Sequence, residues 1–107
     1  MPEVTREEMG RRLFAVKKAK AVESAVEKIR QIPGQDWSAI PAADIDTLQF
    51  ILGEMWVLLS RGTWEQYSFS RLKKADVAEM IVLGREWKSR KITDQQAMEA
   101  FNTILSR

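Results

Sequence analysis

The chain reads as an all-α protein: a compact, four-helix bundle-like single domain spanning residues 1–107. Three observations predict it. Apolar residues recur at three- and four-residue spacing through most of the 107 positions, and no stretch alternates with period two long enough for a strand. Three Ser/Thr-type capping patterns, Thr5-x-x-Glu8, Thr63-x-x-Gln66 and Thr93-x-x-Gln96, mark helix starts. Five glycines and three prolines are too few for a loop-rich or disordered chain.

The first helix is predicted over 5–32, opening at the Thr5 capping box and stopping before Pro33-Gly34. Its apolar pattern changes side along its length. Met9, Leu13 and Val16 lie along one side, and Ala15, Ala19, Val22, Val26 and Ile29 along another at heptad-like 4-3-4-3 spacing. Such a helix is bent or meets different neighbours at its two ends, and its length predicts that one end projects. In the connector that follows, Asp36 is placed to cap a single turn.

A second helix is predicted over 41–61. Pro41 suits a first helical position, and Asp44 and Asp46 sit where the positive end of the helix dipole favours carboxylates. Ile45, Leu48, Ile51, Leu52, Met55, Trp56, Leu58 and Leu59 cover more than half its circumference, which makes it the expected centre of the core. Gly62 is the expected left-handed stop, and a short turn is predicted near 63–68.

A third helix is expected over 70–90, with Val77, Met80, Ile81, Gly84 and Trp87 on one face. A fourth is expected over 94–106, with Ala97, Met98, Phe101, Ile104 and Leu105 inward. The short link Arg90–Thr93 folds these two into an antiparallel hairpin, a joint common to many unrelated helical proteins.

Side-chain inventory restricts the chemistry. Cysteine and histidine are both absent, which removes disulfides, thiol and imidazole catalysis, and the commonest ligands for transition metals. Asp44-x-Asp46 is the nearest approach to a carboxylate metal motif, but residues two apart on a helix point about 200° from each other. No glycine-rich phosphate loop and no G-x-S-x-G elbow occurs. Glu54 sits in the apolar run 50–59; buried, it would titrate high and could act as a general acid. The helical wheel puts it on a polar arc with Asp46, Gln49 and Ser60, so a solvated carboxylate is expected. No catalytic residue, cofactor or metal is assigned, and the chain is read as a non-enzyme.

What remains points to binding. Four tryptophans, Trp37, Trp56, Trp64 and Trp87, are many for this length, and such rings anchor cores and interfaces. Phe50 and Val57, one heptad apart on the less oily side of the second helix with Gly53 beside them, are either buried under the first helix or form a shallow groove for another chain. Trp37 and Trp64, near Asp44 and Asp46, make an acidic-aromatic surface if exposed. Phe50, Gly53, Val57, Trp37, Trp64, Asp44 and Asp46 are therefore the candidate protein interface. Self-association through the 15–29 seam or the Phe50/Val57 strip would give a homodimer.

Charge is uneven: residues 1–35 and 71–107 each carry eight basic and five acidic side chains, whereas 36–70 carry one and five. This layout either assists packing or presents a bipolar surface to a partner. Nucleic-acid binding is the alternative function, through Arg11, Arg12, Lys17, Lys18 and Lys20 and through Arg85, Lys88, Arg90 and Lys91 around Trp87. It requires the first and third helices to lie side by side. The last helix, with acids and no basic residue before Arg107, makes a poor recognition helix.

The expected function is non-enzymatic protein–protein interaction, as an inhibitor, adaptor or assembly factor of the small helical kind that phages and plasmids carry. The absence of a secretory signal and of a membrane-length apolar run predicts a cytoplasmic protein with no membrane partner.

Overall fold

The computed structural model describes residues 5–59 and 61–107, and among these the secondary structure is entirely helical. Five α-helices follow in order: α1 (Arg6–Arg30), α2 (Ala42–Leu58), α3 (Arg61–Gln66), α4 (Lys74–Lys88) and α5 (Asp94–Leu105). Single 3-10 turns at Trp37–Ala39 and Phe69–Arg71 join them. The two longest elements predicted as core, 41–61 and 70–90, correspond to α2 and α4.

Local chemistry explains most boundaries. Thr5 Oγ1 accepts the Glu8 N–H at 3.1 Å to start α1. The Glu8 carboxylate then accepts from Arg12 one turn on, at 3.0 Å. Asp36 accepts the Ser38 N–H at 3.1 Å and closes the first 3-10 turn, as its position predicts. At α5 the capping box is complete: Thr93 Oγ1 accepts the Gln96 N–H, and Gln96 Oε1 accepts the Thr93 N–H. Asp76, with its side chain mostly buried, accepts the N–H of Lys73 at 2.9 Å and fixes the start of α4.

Several boundaries differ from the sequence reading: Pro41 is the N-cap of α2 and not its first helical residue, and the helix expected over 70–90 is α4 at Lys74–Lys88, preceded by the separate 3-10 turn Phe69–Arg71. α2 ends at Leu58 instead of residue 61, because Leu59 turns extended (φ −91°, ψ 151°). Gly62 lies inside α3 and is not a left-handed stop; Gly34 (φ 81°) is the glycine with positive φ among the described residues. Thr63 is likewise inside α3, so Thr63-x-x-Gln66 opens nothing. What closes this corner is tertiary: Trp64 is buried with its ring centroid 5.0 Å from Phe69, and Tyr67 meets Phe69 and Phe101 edge-on.

α2 is the central element. α1 packs along one side of it, α4 along the other, and α5 completes a hairpin with α4. Leu48, Ile51, Leu52 and Met55 of α2 are fully buried against Ala25 and Ile29 of α1, Val77 and Met80 of α4, and Phe101 of α5. Apolar burial at about 25 cal/mol per Å² is the main force holding these layers together. The α4–α5 hairpin is further tied by Trp87 Nε1, which donates to Asp94 Oδ1 at 2.8 Å.

The molecule measures 51 × 29 × 27 Å, and α1 accounts for its elongation. The C-terminal half of α1 lies on the core; its N-terminal half, residues 6–20, is exposed almost throughout.

Candidate functional site

The two apolar stripes of α1 meet different surroundings. At 100° per residue, Val22, Ala25 and Ile29 face α2, and Met9, Leu13 and Val16 lie roughly opposite, toward solvent. Met9 is 53% exposed, Leu13 57% and Val16 50%. Phe14, on the α2 side, packs against Trp56 with the rings tilted and their centroids 5.0 Å apart, and still keeps half its surface in water. That contact places the N-terminal half of α1 beside the C-terminal end of α2, where Val57 and Leu58 are also exposed. Six of the seven exposed large hydrophobics among the described residues belong to these two segments; Val82 on α4 is the seventh. Exposed apolar side chains concentrated in this way mark a contact surface more often than singly scattered ones do. We refer to residues 6–20 as the arm.

The residues singled out from the sequence are distributed as follows. Gly53 is buried, with Lys18 and Val22 of α1 closing over it; this is the burial under the first helix that was one of its two readings. Phe50 turns toward α4, its ring 5.8 Å from that of Trp87 and beneath the Lys88 ammonium. Val57 stays at the surface, so Phe50 and Val57 do not form one strip. Between α1 and α2 a groove of about 570 Å³ does exist, floored by Val22, Val26 and Phe50 and rimmed by both charge signs, Lys18, Glu23, Arg30 and Glu54 among them. The 15–29 seam lines this groove and then enters the core at Ile29, so it is used within the chain.

The acidic-aromatic surface is not assembled. Trp64 is buried, Trp37 is half-buried beneath the Arg30 guanidinium, and Asp44 pairs with Arg85. Asp46 is exposed.

The two basic clusters sit on α1 and α4, each of which packs on α2. Within the first cluster Lys18 turns inward over Gly53, and Arg12 pairs with Glu8. Within the second, Arg85 is engaged by Asp44, Lys88 lies over Phe50, and Arg90 forms the left-handed corner after α4 at φ 63°.

Among the described residues no three carboxylates gather closely enough to hold a metal ion, and no buried side-chain nitrogen or oxygen lacks a partner. No described helix is long and apolar enough to cross a membrane. Burial pushes the Tyr67 phenol above its ordinary value, and Glu79 followed by Asp76 holds the Arg107 guanidinium more firmly protonated than usual. Both groups line one pocket of about 300 Å³ with Ser68, Arg71 and Asp76. Comparison with family models, with curated proteins and with solved structures finds no match. The functional reading therefore stands on surface chemistry.

The stripe Met9, Leu13 and Val16 is the part of the arm that the sequence reading did not take as a site, although it named the arm's cations Arg11, Arg12, Lys17, Lys18 and Lys20. Its signal was present in the change of apolar side between Val16 and Val22. What the sequence did not show is which stripe the core would take.

Proposed function

We propose that this chain acts by binding another protein, with the arm as its docking element. The observation that carries the reading is the solvent-facing stripe Met9, Leu13 and Val16, each half or more exposed, on a helix whose other half is locked into the core. An apolar stripe held out on a rigid helix loses little freedom when a partner covers it, so more of the burial energy appears as affinity. A narrow stripe at 4-3 spacing is the geometry of a helix–helix seam. An adaptor, inhibitor or assembly factor needs such a surface and no reactive side chain.

Nucleic-acid binding through the two basic clusters has weaker support, because several of their members are engaged within the fold.

The test is position-specific photo-crosslinking in the native cell. A crosslinking side chain at Val16 is expected to give a discrete protein adduct that disappears with Leu13→Asp. The same group at Lys28, exposed on the core-bound half of the same helix, is expected to give none. Equal labelling from both positions, or none from Val16, overturns the reading.

A further inference from the structure

A second apolar surface lies on the far side of the molecule from α1. α4 and α5 leave between them a groove of about 510 Å³, floored by Ala78, Val82, Leu83, Ala100 and Ile104. Val82 is 50% exposed in it. Carboxylates stand along its α4 edge: Glu79, bound by Arg107 through two hydrogen bonds of 3.0 and 2.9 Å, and Glu86, which has no ion-pair partner among the described residues.

The arm matches this groove in shape, and its cations are met by one carboxylate, Glu86, since Glu79 is held by Arg107, which also lines the groove. Its stripe is convex and narrow, with Arg12 and Lys17 about 70° to either side and Lys20 in line one turn beyond. From Met9 to Val16 the stripe runs about 10 Å, and from Ala78 to Glu86 the groove edge runs about 12 Å. Seating one helix over the gap between two others is the ordinary ridge-and-groove solution for burying such a stripe.

Charge also selects against the simplest alternative, an arm laid on an arm. In the heptad set by Met9, Leu13 and Val16, Arg12 and Lys17 occupy the flanking positions. A parallel pair therefore sets Arg12 against Lys17, and an antiparallel pair sets each against its own copy. The stripe needs a partner with a carboxylate at its edge, and the α4–α5 groove supplies Glu86.

We infer that the arm of one copy docks in the α4–α5 groove of a second copy, so that this chain self-associates by an arm-in-groove contact. The inference rests on the arm being a docking element and names its occupant. A reciprocal exchange closes a dimer, whereas a one-way contact continues head to tail.

Sedimentation of the full chain at concentrations up to about 100 µM, where a micromolar contact is well populated, tests it. The wild type is expected at twice the 12.3 kDa chain mass or above. Leu13→Asp (arm) and Val82→Asp (groove) are each expected to sediment as single chains. Mixed together they are expected to form a one-to-one pair, because one keeps an intact groove and the other an intact arm. Both positions are half exposed, and retained helical circular dichroism confirms folding; if either fails, Val16→Lys or Ala100→Lys replaces it. A wild type that stays at 12.3 kDa, a single variant that still associates, or variants that do not pair on mixing overturns the inference. A monomeric wild type leaves the crosslinking result at Val16 to judge the docking reading separately, since a foreign protein then gives the adduct.

Discussion

A methyl group added at Gly84 would sit 2.7 Å from Thr47 Cγ2 and 3.2 Å from the Thr47 carbonyl oxygen. Thr47 cannot easily yield: it is buried, β-branched, and its hydroxyl donates to the Ala43 carbonyl at 2.9 Å. α2 and α4 therefore touch almost backbone to backbone here. Gly84→Ala is expected to destabilise the fold by about 1–3 kcal/mol in urea denaturation, the strain outweighing a helix-propensity gain of about 1 kcal/mol. Gly10→Ala, with nothing within 4 Å on the exposed arm, should show that propensity gain alone. At Gly53 the nearest neighbour is the flexible Lys18 Cε at 3.0 Å, which can swing aside. All three glycines look alike in the sequence, and Gly53 drew attention as the site of close approach because of its apolar neighbours. The tighter site is Gly84, and only the crossing of two helices distant in the chain decides that.

At the scale of elements, the α4–α5 corner shows how a local motif was legible and its cost was not. Ser89 caps α4, the Arg90 N–H donates to the Trp87 carbonyl at 3.0 Å, and the Lys91 N–H donates to the Glu86 carbonyl at 2.9 Å. This is the Schellman arrangement, which calls for a left-handed residue after the cap and favours glycine there. Arg90 occupies that position at φ 63°, a conformation costing an L-residue about 1–2 kcal/mol. Arg90→Gly is therefore expected to raise stability by about 1 kcal/mol, read as a higher urea midpoint with unchanged slope. The hairpin itself was predictable from the short link and the Thr93 capping box, because both act within a few residues. At the α3 corner a short turn near 63–68 was predictable, but not that it begins at Arg61 as a helix. A six-residue helix has too few internal hydrogen bonds to be favoured on its own, and it exists where Trp64 and Tyr67 are pinned onto Phe69 and Phe101.

For the molecule as a whole, the decisive fact is that one helix serves two environments. Periodicity revealed two stripes on α1 and a projecting end, but a stripe of Met, Leu and Val looks no less core-like than one of Ala, Val and Ile. The choice was made by α2, whose Gly53 admits Lys18 and Val22 closely and whose Trp56 engages Phe14 from the arm. If α1 is divided in this way, its two halves must differ in what they contribute to folding. Ile29→Ala, fully buried, is expected to cost about 2–5 kcal/mol, whereas Leu13→Asp, more than half exposed, should change stability by no more than about 0.5 kcal/mol. Amide hydrogen exchange reads the same division without mutation. The amides of Ala25–Arg30 should open only with the whole fold, and those of Arg11–Lys17 by local fraying at much lower free energy, because beyond Phe14 against Trp56 little tertiary burial supports them. A partner seated on the arm must shift that balance. Exchange across Arg11–Lys17 should therefore slow as protein concentration rises if a second copy covers the stripe, while protection at Ala25–Arg30 stays unchanged. Concentration-independent exchange in the purified protein would instead assign the stripe to a foreign chain.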